Sequence, residues 1–215
     1  KTLDSLIQGD FAIVAGYVDS GKSAFGIDQA VHAARQLTDG CVLWLNNEEP
    51  DDRILKKIWK RNLGASWPRI QEHRTKAERK FTQLFHGDIN RIKLYNISGK
   101  SFRQIRSICK KEKARLIIVD QIDNISGMAN KEAAEYLRLG KLYTAMRDLA
   151  KEVAPVIAIT QTDASARWTN KETQETEFQR VIDQSQLRGA KVDKQATADI
   201  IITIGQDKRF PKSRF

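Results

Sequence analysis

Five stretches of this chain are apolar almost without interruption: FAIVAG (residues 11–16), CVLWLNN (41–47), ARLIIVDQI (114–122), PVIAITQ (155–161) and ADIIITIG (198–205). A sixth, RIKLYNIS (91–98), has strand-like composition. Strands that face solvent on one side alternate apolar and polar residues. Strands buried on both sides do not, and both-sided burial is the property of parallel sheets covered by helices. Helical patterns fall between these runs. KSAFGIDQAVHAARQL (22–37) carries Phe25, Ile27, Ala30, Val31, Ala34 and Leu37 at helical spacing. PDDRILKKIWKRNLG (50–64) opens with proline and two acids and closes with glycine, which are start and stop signals. Phe102, Ile105, Ile108 and Cys109 mark one helix face, and Leu142, Met146, Leu149 and Val153 another. The alternation predicts an α/β fold: a mostly parallel central sheet with helices on both faces. Residues 65–90 are charged and weakly periodic and predict a surface helix with loops, an insertion. Thr162–Gln186 is polar and has few apolar anchors, so it is expected to be a functional or mobile loop.

The first apolar run leads into Gly16-Tyr17-Val18-Asp19-Ser20-Gly21-Lys22-Ser23, which fits G-x-x-x-x-G-K-[ST]. Glycines let the backbone wrap a phosphate with its amides inward. Lys22 supplies charge to the β/γ-phosphates, and the Ser23 hydroxyl can ligate Mg²⁺. The helix that follows aims its positive end at the same anion. The context this motif requires, strand before and helix after, is met. The chain is therefore expected to bind ATP, or another nucleoside triphosphate, with Mg²⁺.

Such a site needs an acid in the Mg²⁺ shell and a group that activates water. LIIVD places Asp120 at the carboxyl end of a strand, where open α/β sheets bind ligands. The residue after it is Gln121, not an acid, so the water-activating carboxylate must come from elsewhere. Glu48 and Glu49 emerge where the second strand leaves the core, and either is also a suitable helix-start acid. Gln161 ends a further strand at the same sheet edge and suits a γ-phosphate sensor.

Composition narrows the partners. The 37 Lys and Arg residues outnumber 27 Asp and Glu, a formal charge of +10, which suits a polyanion as well as an ordinary soluble surface. Cys41 and Cys109 sit among apolar neighbours and are expected to be buried free thiols in a reducing compartment. His32, His73 and His86 are too scattered for a zinc pattern. No apolar run reaches membrane-spanning length, so no membrane role is expected. The chain opens on Lys1 and stops at Phe215 without a cap, and it reads as a piece of a longer protein.

Phosphate loop, glutamate after the second strand, Asp-ending strand and Gln-ending strand, in this order, resemble the RecA-like motor domain of DnaB-type hexameric replicative helicases, phage members among them. The likeness covers nearly all of residues 1–215, including the lead-in KTLDSLIQGD and the later LRGAKVDKQATADIIITI. It implies an ATP-dependent motor that translocates 5′ to 3′ on single-stranded DNA as a homohexamer. Primase and a helicase loader are implied as partners, in the cytoplasm of a bacterium or of a phage-infected host. The family's acid pair favours Glu48 over Glu49 as the catalytic acid. Arg188, Gly189 and Lys191 match its channel loop, which makes 162–191 a DNA-binding loop region. Lys212 and Arg214 match a Lys-x-Arg pair that reaches the neighbouring subunit's ATP, although the spacer before them is short. A RecA-type recombinase or a signalling ATPase that does not act on nucleic acid shares the core. The LRGAK block and the KSR pair favour the helicase over the recombinase, and the charge argues against the signalling ATPase.

Overall fold

A computed structural model of the chain describes residues 6–126, 135–162, 167–169, 176–178, 182 and 196–205. Six strands form one sheet: β1 (Phe11–Gly16), β2 (Cys41–Asn46), β3 (Ile92–Asn96), β4 (Ala114–Asp120), β5 (Val156–Gln161) and, last in the chain, β8 (Ile200–Ile204). Their order across the sheet is β3-β2-β4-β5-β1-β8, and every neighbouring pair is parallel. The four inner strands have continuous apolar runs, and so does β8 at the edge. The edge strands β3 and β8 are only partly buried.

Strand alternation divides the core into two layers. Phe11, Ile13, Leu43, Leu45, Ile117, Val119, Val156 and Ala158 face one way. They pack against α5 (Phe102–Lys111) and α6 (Glu135–Glu152) through Ile105, Cys109, Leu142, Tyr143 and Met146. Val14, Val42, Trp44, Ile118, Ile157 and Ile159 face the other way. They meet α1 (Lys22–Ala34), α2 (Asp51–Leu63), α3 (Trp67–Glu72) and α4 (Arg74–Leu84). Helix α2 starts after Pro50 with Asp51 and Asp52 and ends at Gly64, as its punctuation predicts. At the start of α5, Ser101 and Gln104 form a reciprocal capping box.

Two expectations change. Residues 65–90 are not a peripheral insertion: α3 and α4 bury Ile70, Ala77 and Phe81 in the α1-side core, together with Phe85. Phe81 stacks on Trp59 with ring centroids 4.2 Å apart and meets the ring of Phe85 edge-on at 4.8 Å. The weak periodicity arises because three aromatic rings, rather than a long apolar stripe, anchor this segment. Within the stretch expected to be a loop, β6 (Arg167–Thr169) and β7 (Thr176–Phe178) pair antiparallel. Cys41 and Cys109 are buried free thiols, as expected. Burial pushes the Cys109 thiol up to about 12, so it is inert as a nucleophile. No helix among the described residues is long and apolar enough to cross a membrane.

If α4 belongs to the core, Phe81→Ala should cost about 3–5 kcal/mol, the usual penalty for emptying a buried aromatic site. Urea unfolding followed by circular dichroism measures this, and a change within 0.5 kcal/mol, the usual range for surface substitutions, would return the segment to the surface.

Candidate nucleotide-binding site

The carboxyl ends of β1, β2, β4 and β5 form one edge of the sheet, and their registers set what lies beside what. Gly16 pairs with Gln161 across β1 and β5, and Asn46 pairs with Asp120 across β2 and β4. The main chain continues this alignment past the strands. The Thr162 amide donates to the Gly16 carbonyl at 3.2 Å, and the Asn47 amide to the Asp120 carbonyl at 2.9 Å.

Between β1 and α1 the chain turns tightly, and two glycines are required. A Cβ on Gly16 would sit 2.8 Å from the Ile204 carbonyl oxygen, so only glycine fits against β8 there. Gly21 has φ 97°, in the left-handed region, where it caps α1 and opens that helix toward the cleft. Lys22 is folded back and buried, and its ammonium donates to the Tyr17 carbonyl. Burial pulls its pKa below the usual lysine range, while Glu48, Asp120 and Asp19 pull it back up. Val18, Asp19, Gly21, Lys22 and Ser23 line a cleft of about 340 Å³ with Glu48, Glu49, Arg53 and Lys57.

Asp120 lies 1 % exposed at the end of β4, and neither carboxylate oxygen has a formed hydrogen bond. Burial pushes its carboxyl up to about 6. The Ser23 hydroxyl, near it without an aligned bond, moderates this, and Glu48 and Glu49 add to the rise. Ser20 Oγ, Asn47 Nδ2, Gln121 Nε2 and Thr162 Oγ1, all near the same sheet edge, are likewise buried without partners. Buried polar groups are normally satisfied, and a cluster that is not is the signature of a site built for a polar guest. A magnesium nucleotide fits it. Mg²⁺ takes one or two carboxylates with hydroxyl, phosphate and water oxygens, and it needs no protein cage. No three His, Cys, Asp or Glu side chains converge among the described residues.

The two glutamates after β2 are placed differently. Glu49 is held by Lys57, whose ammonium donates to both carboxylate oxygens at 2.5 and 2.7 Å. Glu48 is exposed, and its carboxylate has no ion pair or hydrogen bond among the described residues. The turn that separates them is built by Asn46, fully buried, whose Oδ1 accepts from both glutamate amides at 3.3 Å. Asn47 Oδ1 accepts from the Gln121 amide at 2.7 Å and ties the β2 exit to the β4 exit. Sequence reasoning passed over both asparagines; two amide side chains in succession at a strand end were the available signal. Gln161 lies at its predicted edge, half-buried. Arg188, Gly189, Lys191, Lys212 and Arg214 lie outside the described residues. A larger groove of about 800 Å³ runs between α2, α4 and β3. Its Glu112 is already engaged by Lys93 and Tyr95.

The family model for the DnaB-like helicase C-terminal domain matches residues 1–211. The chain belongs to the DnaB-like helicase family. This helicase domain superposes on the ATPase domain of G40P with a TM-score of 0.75 at 18% identity, over 97% of this chain and 74% of that one. It also superposes on a DnaB-like replicative helicase studied with primase, at a TM-score of 0.74 and 18% identity, over 97% of this chain and 51% of that one. The domain thus spans about half of the latter's length, and at this identity the likeness is one of fold. No curated protein sequence matches significantly. Family membership makes the domain an ATP-driven motor of a replicative DNA helicase, and the RecA-like fold expected from its motifs is the fold observed.

Asp120 makes the free domain's stability pH-dependent. Its folded carboxyl holds its proton up to about pH 6, whereas the unfolded value is 3.8. Its contribution to stability is therefore full below about pH 4 and is lost as pH rises through about 6. Asp120→Asn should stabilise the nucleotide-free domain at pH 7.5 by about 3 kcal/mol, and the gain should shrink toward zero below about pH 4. Melting curves at both pH values test this, and an equal or lower melting temperature at pH 7.5 would contradict the buried charge.

Proposed function

We propose that the helicase domain hydrolyses ATP with Mg²⁺ between the subunits of a hexameric ring and thereby moves 5′ to 3′ along single-stranded DNA. The observation that carries the nucleotide chemistry is the buried, unpaired Asp120 beside Lys22 and Ser23. Asp120 and Ser23 would hold Mg²⁺, and the phosphate-loop residues Gly16 to Ser23 would cradle the triphosphate. When bound, the ion supplies charge stabilisation of the phosphoryl group being transferred. Lys22 presents a positive charge to the phosphates from a desolvated position, where it acts with little dielectric loss. Glu48 is the general base for water, because it is free to reach the cleft and Glu49 is held by Lys57. Gln161 senses the γ-phosphate from the end of β5.

The remaining assignments rest on motif and family. Arg188, Gly189 and Lys191, in the 162–191 region, grip the single-strand backbone, and two cations beside a glycine suit close approach to phosphates. Lys212 and Arg214 complete the neighbouring subunit's site, where a planar guanidinium can neutralise transition-state charge. Primase and a loader are partners of the whole protein, in the cytoplasm.

Glu48→Gln should bind ATP and hydrolyse it at least about 100-fold more slowly, the lower range for a lost general base, while Glu49→Gln should stay within a few-fold of wild type. Steady-state ATPase rates with nucleotide affinities decide between them, and a dead Glu49→Gln beside an active Glu48→Gln would reverse the assignment. Arg188→Ala with Lys191→Ala should reduce the salt dependence of single-strand binding by about 2 in slope, one for each phosphate contact. An unchanged slope in a fluorescence titration would move the DNA path elsewhere.

A further inference from the structure

Three residues beyond Asp120, the chain makes a short 3₁₀ turn, Ile122–Asn124, whose middle residue takes no part in the chemistry proposed above. The two carboxylate oxygens of Asp123 have different partners. Tyr143 of α6 donates its hydroxyl to Oδ1 at 3.0 Å, and the Thr160 hydroxyl of β5 donates to Oδ2. Tyr143 and Thr160 are both fully buried. Arg138 of α6 fixes the turn by donating to the Asp123 carbonyl at 3.0 Å and to the Ile125 carbonyl at 2.6 Å. One carboxylate thus joins the exit of β4, the end of strand β5 and the body of α6.

Strand alternation shows what this joint controls. Val156 and Ala158 face the α6 layer and Ile157 and Ile159 the α1 layer. Thr160 continues the first series, and Gln161 continues the second, on the side of the phosphate loop. Gln161 is the last residue of its strand; β1 still holds it through Gly16 and the Thr162 amide, but on the β4 side the pairing ends at Ile159. The Thr160 hydroxyl is the last side-chain anchor before it and also lies 3.4 Å from the Gln161 carbonyl. A carboxylate among apolar layers costs desolvation, and an apolar pair at 123 and 160 would avoid it. Hydrogen bonds with fixed direction do what apolar contact cannot: they set the angle of the strand end.

We propose that Asp123 is a positioning residue that holds the β4-facing side of the end of β5 through Thr160, and so sets the angle at which Gln161 is presented beside the phosphate loop, three residues along the chain from Asp120. This rests on the reading of Gln161 as the γ-phosphate sensor.

The test is a double-mutant cycle on single-strand-stimulated ATP turnover in the full-length helicase. Thr160→Val keeps shape and removes the donor. It should lower kcat by up to about 100-fold, the cost of a small misplacement, with nucleotide affinity near wild type and a lower melting temperature, because a buried Asp123 oxygen loses its donor. Thr160→Ser, which keeps the hydroxyl, should recover most of the rate. In a Gln161→Ala background, Thr160→Val should have no further effect, because the group being positioned is gone. Tyr143→Phe, which removes the other donor to the same carboxylate, carries the same cycle if Thr160→Val does not fold. A slow Gln161→Ala with a wild-type Thr160→Val, or with effects that multiply in full, overturns the positioning role and leaves the sensor reading standing. A wild-type rate for Gln161→Ala alone overturns the sensor reading and this proposal with it.

Discussion

The parallel register of four inner strands is the constraint on which the rest depends. β1, β2, β4 and β5 run the same way, so their carboxyl ends form one edge, and the groups that leave each strand must meet there. Parallel pairing needs a crossover for every strand, and the crossovers are the helices that bury both faces. The apolar layers therefore hold the geometry of the site as well as the fold. Gly16 lies next to Gln161, and Asn46 next to Asp120, because the interior is packed in that register and in no other.

At that edge the energetics run against the free protein. Burial drives Lys22 toward its neutral form and Asp120 toward its protonated form. Each partly relieves the other, yet Asp120 keeps both oxygens without a formed hydrogen bond. Such an arrangement destabilises the folded chain at neutral pH and suits a ligand that brings both positive and negative charge. Functional sites are where an otherwise consistent structure tolerates this kind of tension.

The turns that leave the strand ends at this edge are built from hydrogen bonds rather than apolar contact. Asn46 shapes the turn carrying Glu48 and Glu49, Asn47 links the exits of β2 and β4, and Asp123 links β4 to β5 and α6. Lys57 holds Glu49 and thereby distinguishes two neighbouring acids that are chemically the same. The aromatic cluster of Trp59, Phe81 and Phe85 packs α4 against α2, the helix that carries Lys57.

The amino-acid sequence by itself determined the layer architecture, the phosphate loop, and the presence of Asp120 and Gln161 at strand ends. These are local signals: continuous apolar runs, a glycine-lysine-serine spacing, and a polar residue closing an apolar strand. Helix α2 was legible for the same reason, since its start and stop residues act within one turn of its ends. Tertiary structure alone decided the strand order, the restraint of Glu49 by Lys57, the burial of α3 and α4, and the Asp123 joint. Lys57 lies 8 positions from Glu49, and Thr160 lies 37 from Asp123. No periodicity connects such pairs, because what joins them is the packing of separate elements. A carboxylate's partners, and hence its charge and reach, are set only when those elements meet.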